Sequence, residues 1–333
     1  MPDALEAEGY SALGDRPLLM LDARAGGLAE AVRGTRAILI ALDADGLLPA
    51  IDPAAFDVLL TIAPDPPAPW VHVPARHWAD HLARLEAVVR RCPVAAQTAM
   101  RTLRIAEALP FDLALEAESH AYSMLLAGAE FRRWRADRKR GSAPYDPHEP
   151  RLRVTRNVDQ MTITLDHPAS RNALAAPMRD QLFEALAAVL DDPSAPSLLL
   201  EGAGPCFSVG GDRDELGAAQ DVAAAHVIRT ERSCARLMHR LGTRATVRVH
   251  GACIGSGLEI AAAASRRIAA PGAWFQLPEL SMGLIPGAGG TVSVAQAIGR
   301  HRTAWMVLSG KRLSAATALH WGLVTGLDTG LVA

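Results

Sequence analysis

Two glutamates stand twenty residues apart, each beside glycine-rich chain. Glu259 lies in HGACIGSGLEIAAAAS at His250–Ser265, and Glu279 opens LPELSMGLIPGAGGT at Leu277–Thr291. An earlier stretch, CFSVGGDRDEL at Cys206–Leu216, also carries a glycine pair. Gly210 and Gly211 permit a sharp turn that presents successive backbone N–H groups outward. Gly255, Ser256 and Gly257 turn the chain into a helix beginning near Leu258. The Ser256 amide therefore sits by a helix N-terminus, where orphan N–H groups and the dipole favour an oxyanion. Bare backbone donors with two carboxylates suit enolate chemistry on an acyl thioester. The thioester carbonyl would lie between the Val209 and Ser256 N–H groups, which would stabilise charge developing on its oxygen. Losing one such donor typically costs roughly 3–4 kcal/mol. In hydration one carboxylate would activate water and the other would deliver or hold a proton.

Each feature also has a plainer reading. The first glycine pair fits any strand-to-helix turn; it lacks the G-K-[ST] ending of a P-loop and the spacing of a dinucleotide fingerprint. Glu259 could be an ordinary acid in a first helical turn, Glu279 a surface acid, and GAGG the start of the next helix. Against this, Glu259 is flanked by Leu258, Ile260 and Ala261–Ala264, where an acid is expensive to bury without a purpose. Pro278 stiffens the approach to Glu279. No coherent His/Asp/Cys ligand cluster appears, so no metal is expected.

The chain has 333 residues, enough for a large core and two units. Half of them are apolar, which excludes a disordered tail. With 34 Lys plus Arg against 36 Asp plus Glu, the net charge of -2 gives no global field for nucleic acid. Cys92, Cys206, Cys234 and Cys253 form no C-x-x-C pair, so buried thiols in a reducing, cytoplasmic setting are expected. MPDALEAEGY has no basic apolar leader, and no stretch reads as a membrane span.

The elements that must position these residues fall in two halves. Residues 1–75 are poorly assigned, with strands expected at Thr35–Ala44 and Phe56–Ala63. Residues 76–140 read as helices: Ala79–Arg90, Ala95–Ala108 after an interruption at Pro93, Phe111–Ala127, and a short basic Glu130–Arg140. Residues 141–151 are a Gly- and Pro-rich linker. Residues 152–333 alternate strands and helices. They comprise a hairpin within Leu152–Leu165, a helix Pro177–Leu190, a strand Pro196–Glu201 and a long helix Ala218–Leu241. The strand Ala245–His250 then leads into the second glycine stretch. Short strands at Arg267–Ala270 and Ala273–Gln276 and helices at Gly289–Ile298 and Arg302–Leu308 follow. That order indicates an α/β core with ligands near strand ends.

Across Val154–Asp328 the chain resembles the crotonase superfamily of enoyl-CoA hydratases and isomerases. The resemblance rests on HPASRNAL at His167–Leu174, CFSVGGDRDEL, HGACIGSGLEIAAAASRRIAA, LPELSMGLIPGAGGTVSVAQAIG and LSGKRLSAATALHWGLV, in that order. It implies a crotonase-like ββα spiral core, oxyanion amides at Val209 and Ser256, and the paired glutamates of hydratases at Glu259 and Glu279. It also implies that coenzyme A, entering as part of the substrate, is gripped around Arg171–Ala173 and Gly210, Gly211, Asp212, Arg213 and Gly255. Arg171 would meet a phosphate or simply be solvated; Asp212 would order its turn. No tightly bound cofactor is implied, and the family's usual assembly is a trimer or a dimer of trimers.

The sequence departs from the family in places. Ser256 stands where glycine is commonest, Asp214 and Glu215 give the following helix an acidic start, and His250 replaces a frequent Asn and is expected to be structural. The family's usual C-terminal helical region is missing after GLV, while His77–Arg140, with LALEAESHAYSMLLAGAEFRRWRADRKR at Leu113–Arg140, is similar to it. The chain thus reads as permuted, with that region moved to the front. It would pack over the acyl pocket of its own or a neighbouring subunit and bring Arg138, Lys139 and Arg140 towards a CoA phosphate. The leading function is hydration of a 2-enoyl-CoA. The alternatives are double-bond isomerisation, thioester hydrolysis, C–C cleavage, or a non-catalytic acyl-CoA-binding scaffold.

Overall fold

The computed structural model describes residues 7–25, 35–138, 149, 151–219 and 221–330. The expected linker 141–151 therefore falls mostly outside the described residues, as do Lys139 and Arg140.

The unassigned first segment is a parallel sheet. Strands β1 (Leu18–Asp22), β2 (Ile38–Asp43), β3 (Val58–Thr61) and β4 (Val71–His72) lie in sequence order, all parallel. Both faces are covered, which is why ILIAL in β2 reads as one apolar run. Ile38, Ile40, Val58, Leu60 and Val71 join the main core, while Leu39, Ala41, Leu59 and Trp70 pack on the other side around Phe56.

Four helices follow: α1 (Trp78–Arg91), α2 (Pro93–Glu107), α3 (Phe111–Leu126) and α4 (Ala129–Ala136). Pro93 opens α2 rather than merely interrupting the chain, because a first helical residue needs no N–H partner. The next two amides, Val94 and Ala95, both donate to the buried carboxylate of Glu130 at 2.9 Å, which ties α4 to α2.

The remaining elements are β5 (Leu152–Arg156), β6 (Gln160–Leu165), α5 (Ala176–Asp191), β7 (Ser197–Gly202), α6 (Val222–Glu231), α7 (Cys234–Leu241), β8 (Ala245–Val249), β9 (Ala252–Ile254) and α8 (Ser256–Ala262). Then come β10 (Arg266–Ala269), β11 (Trp274–Gln276), α9 (Gly290–Ile298), α10 (Arg300–Ser309), β12 (Leu313–Ser314), α11 (Ala315–Trp321) and β13 (Gly326–Leu327). A six-stranded sheet runs β13-β10-β8-β7-β6-β5, and a second runs β12-β11-β9. The chain passes from the six-stranded sheet to the three-stranded one twice, β8 to β9 and β10 to β11, before entering a helix. Single bridges Ser208↔Cys253 and Leu174↔Gly211 extend this pattern to the two earlier crossings.

Two expectations need correction. The long helix at Ala218–Leu241 is two helices, because the Ser233 side chain accepts from Arg236 N–H and so starts α7 afresh. Asp214 and Glu215 open no helix; they lie in a run of turns. Both Glu215 oxygens instead accept from Ala176 N–H, at 3.0 and 2.8 Å, capping α5. Among the described residues no helix is long and apolar enough to cross a membrane.

Candidate active site

Asn172 builds one wall of the site. It is fully buried, and its Nδ2 donates to the carbonyls of Ala203, Cys206 and Phe207 while its Oδ1 accepts from His167 N–H. It thereby fastens the HPASRNAL loop against the CFSVGG turn. Ser208 continues the seam by donating to Asn172 O at 2.7 Å. Arg171 and Asn172 both take positive φ, 56° and 54°, to make that close approach.

The glycine turn lies directly on the second one. At φ +84°, Gly210 passes Ile254 so closely that a Cβ there would lie 2.6 Å from its carbonyl oxygen. The amides of this turn have different fates. Val209 N–H donates to Arg171 O at 3.2 Å, and Gly210 N–H donates to Ser208 Oγ at 3.1 Å. Among the described residues no protein acceptor takes the N–H of Gly211 or of Ser256. A Cβ on Gly211 would stand 3.6 Å from Ser256 Oγ, so the two free amides belong to adjacent chain. Val209, expected as an oxyanion donor, thus has an acceptor within the chain. Its N–H holds the Arg171 loop, and the N–H without an acceptor beside Ser256 is that of Gly211.

Three carboxylates converge here, with Glu118, Glu259 and Glu279 only 1, 2 and 7% exposed. Glu259, on α8, accepts from Ala288 N–H at 2.7 Å and Gly290 N–H at 2.9 Å, both on Oε2. Glu279 begins a short 3-10 turn after β11, and its buried Oε2 has no hydrogen-bond partner. Burial raises both above the usual carboxylate range, Glu259 also by the nearby charges of Glu279 and Glu118. Glu279 is pushed up to about 8, against an opposing pull from Arg213.

Glu118 was not singled out from sequence. It lies on α3 and accepts from Gly289 N–H and Thr291 N–H, each at 2.7 Å, and from Thr291 Oγ1 at 2.6 Å. A signal existed. Phe111, Ala114, Leu115, Glu118, Tyr122 and Leu125 make one buried stripe at helical spacing, and an acid on such a stripe must find partners. Tyr122, one turn on, rests against Gly287, with the Arg229 guanidinium of α6 4.6 Å from its ring centroid.

Other expected residues sit around this centre. Asp212 accepts from Asp214 N–H at 2.7 Å and orders its turn. Gly255 caps α8 at φ +49°. Ala173 is buried, and the Arg171 and Arg213 side chains are exposed. Arg138 pairs with Asp214 at 2.9 Å, and Arg135 donates to the carbonyls of Arg213 and Asp214. His250 contacts Gly204 O at 2.8 Å, a structural contact. A cavity of about 240 Å³ between β2 and α2 lies away from all of these; its buried acid, Asp57, is already bound by Arg104.

The family profile described as enoyl-CoA hydratase/isomerase matches residues 156–329, more than half of the chain. The chain belongs to the enoyl-CoA hydratase/isomerase family. Two of the three carboxylates, Glu259 and Glu279, lie within the matched stretch, and so do both free amides. A 2,3-dehydroadipyl-CoA hydratase of Escherichia coli (strain K12) is 34% identical over 174 residues, 52% of this chain and 68% of that protein. A mevalonyl-coenzyme A hydratase of Beauveria bassiana is 33% identical, over 49% of this chain and 61% of its own length. The crystal structure of an enoyl-CoA hydratase subunit I from Geobacillus kaustophilus aligns with TM-score 0.50 at 26% identity, covering 55% of this chain and 70% of that one. The core of this family member is thus of the crotonase type, and the chain before residue 156 lies outside the family match.

Proposed function

We propose that this family member adds water to a 2-enoyl-CoA. The observation that carries the reading is the pairing of two buried glutamates, Glu259 and Glu279, with two unspent amides, Gly211 and Ser256. A thioester oxygen between those amides accumulates charge as the β-carbon is attacked, and the two N–H groups stabilise it. The raised carboxyls supply the proton chemistry. One ionised carboxylate takes a proton from the attacking water, and a protonated partner delivers one to the α-carbon. Burial keeps both carboxyls protonated to higher pH than exposed glutamates, Glu259 also through the nearby charge of Glu279. Among the described residues no group of three or more His, Cys, Asp or Glu side chains is placed to hold a metal ion.

Coenzyme A would run along the Arg171–Ala173 loop and the Gly210–Arg213 turn, where two exposed arginines flank the free amides. Helices α1–α4 would stand in for the family's C-terminal helical region, in a permuted chain. In support, Glu118 and Tyr122 of α3 and Arg135 and Arg138 of α4 contact the site loops within the same chain. A trimeric or paired-trimeric assembly belongs to the same reading, and light scattering tests it.

The direct test is turnover of 2-enoyl-CoAs of short, long and aromatic type, followed by loss of the conjugated thioester absorbance and by product mass. A gain of one water supports hydration. A shifted double bond selects the isomerase, and free coenzyme A selects hydrolysis.

A further inference from the structure

Four successive amides open helix α9, and two carboxylates divide them alternately. Ala288 and Gly290 donate to Oε2 of Glu259, at 2.7 and 2.9 Å. Gly289 donates to Oε1 of Glu118 and Thr291 to its Oε2, both at 2.7 Å, with Thr291 Oγ1 adding a third bond to Oε2. The strand of loop between the acids is therefore gripped on both sides of Gly290. It has no room to shift there, since a Cβ on Gly290 would lie 2.7 Å from Glu259 Cγ. One oxygen of Glu259 is thus pinned twice, and among the described residues no donor reaches its Oε1.

We propose that Glu118 is a positioning residue for the reaction. By clamping Gly289 and Thr291 it aims the Ala288 and Gly290 amides at one oxygen of Glu259 and leaves the other free for substrate and water. The inference rests on the hydration reading for its substrate, but the clamp is visible without it. Glu118 comes from α3, outside the family-matched residues, so the N-terminal helices do more than cover the site. They fix the orientation of one of its acids.

The same carboxylate also sets the local field. The charged groups facing it are Glu259 from α8, Glu279 from the 3-10 turn and Arg229 from α6, with the Tyr122 phenol on its own helix. Like charge from Glu118 raises Glu259 and Glu279 alike, and burial pushes Glu118 itself up to about 7.

A plain helix cap would cost stability and nothing else, so the test reads rate and pH together. In Glu118→Gln, one acceptor becomes an NH2 that faces N–H donors, and the charge is gone. The expected result is a fall in kcat of about tenfold to a hundredfold, as for a slightly misplaced catalytic group. KM should stay within about threefold, because ground-state binding is untouched. The pH limbs of kcat/KM should move downward, since a repelling charge has been removed. Thr291→Val removes one of three donors and keeps both amides. It should shift the limbs in the same direction by less, and it serves if the Gln variant fails to fold. Unchanged kcat and unchanged limbs in a folded variant, with only the melting temperature lowered, would overturn the proposal. A wild-type protein inactive on every enoyl-CoA would instead sink the hydration reading. The clamp is then judged by carboxyl 13C titration of Glu259 and Glu279, assigned with Glu259→Gln and Glu279→Gln. A lower titration in Glu118→Gln supports it, and identical titrations overturn it.

Discussion

Oε1 of Glu279 lies 2.6 Å from where a Cβ on Gly255 would stand. The acid leans directly on the residue that caps α8 and precedes the Ser256 donor, so backbone and carboxylate are set by one contact. Gly255 also takes φ +49°, which an L side chain adopts at a cost. Gly255→Ala should therefore displace Glu279 and turn the Ser256 amide. A loss of about a hundredfold in kcat is expected from misplacement of this kind, along with about 1–3 kcal/mol of stability from the strained conformation. Steady-state kinetics beside thermal melts check both figures.

The assignment of the free donors makes a backbone prediction. Replacing the amide before Gly211 with an ester removes its N–H and leaves every side chain intact. That change should lower kcat by about 10²–10³-fold, as for loss of an oxyanion donor. The same replacement at Val209 removes the bond to Arg171 O, so it should cost about 0.5–1.5 kcal/mol of stability and less rate. The reverse ranking would return the oxyanion role to Val209.

Asn172 carries four hydrogen bonds in a fully buried position. Asn172→Ala leaves several buried polar groups unpaired, at about 1–3 kcal/mol each before relaxation. Chemical denaturation should show a loss of several times that of a surface substitution, with weakened binding of acyl-CoA because the Arg171 loop comes loose. A variant as stable as wild type would contradict the seam described here.

The raised carboxyl of Glu279 links stability to pH. Its folded value of about 8 exceeds its ordinary 4.5. The contribution is therefore fully present below about pH 4.5 and is lost as pH rises through about 8. Glu279→Gln removes this loss. Melting temperatures of wild type and variant should diverge in the variant's favour between pH 5 and 9, a window that brackets the folded value of about 8. Parallel curves would show that Glu279 titrates normally.

Much of this architecture was legible because its signals are local. Helices α1 to α4 follow their apolar periodicity to within a few residues of the expected limits, and the break before α7 hides in a single capping serine. The first sheet was harder. Its β1 is half-buried, β4 has only two residues, and among the described residues the β2–β3 connection carries a short 3-10 turn, Pro53–Ala55, rather than a helix. Residue types singled out Glu259, Glu279 and the glycine turns, which the fold brings together with both acids buried. Which amides keep a free N–H depends on φ and on the Arg171 carbonyl, contacts that spacing does not encode. Glu118 was obscured because acids on helices usually face water; only its apolar stripe and the distant 288–291 loop reveal its burial.

The most direct measurement is addition of isotopically labelled water to a 2-enoyl-CoA by wild type, Glu259→Gln and Glu279→Gln, read by product mass. The account predicts one labelled oxygen in the wild-type product and its loss in both variants, with acyl-CoA binding retained. Water addition that survives either substitution would contradict a two-glutamate hydration centre.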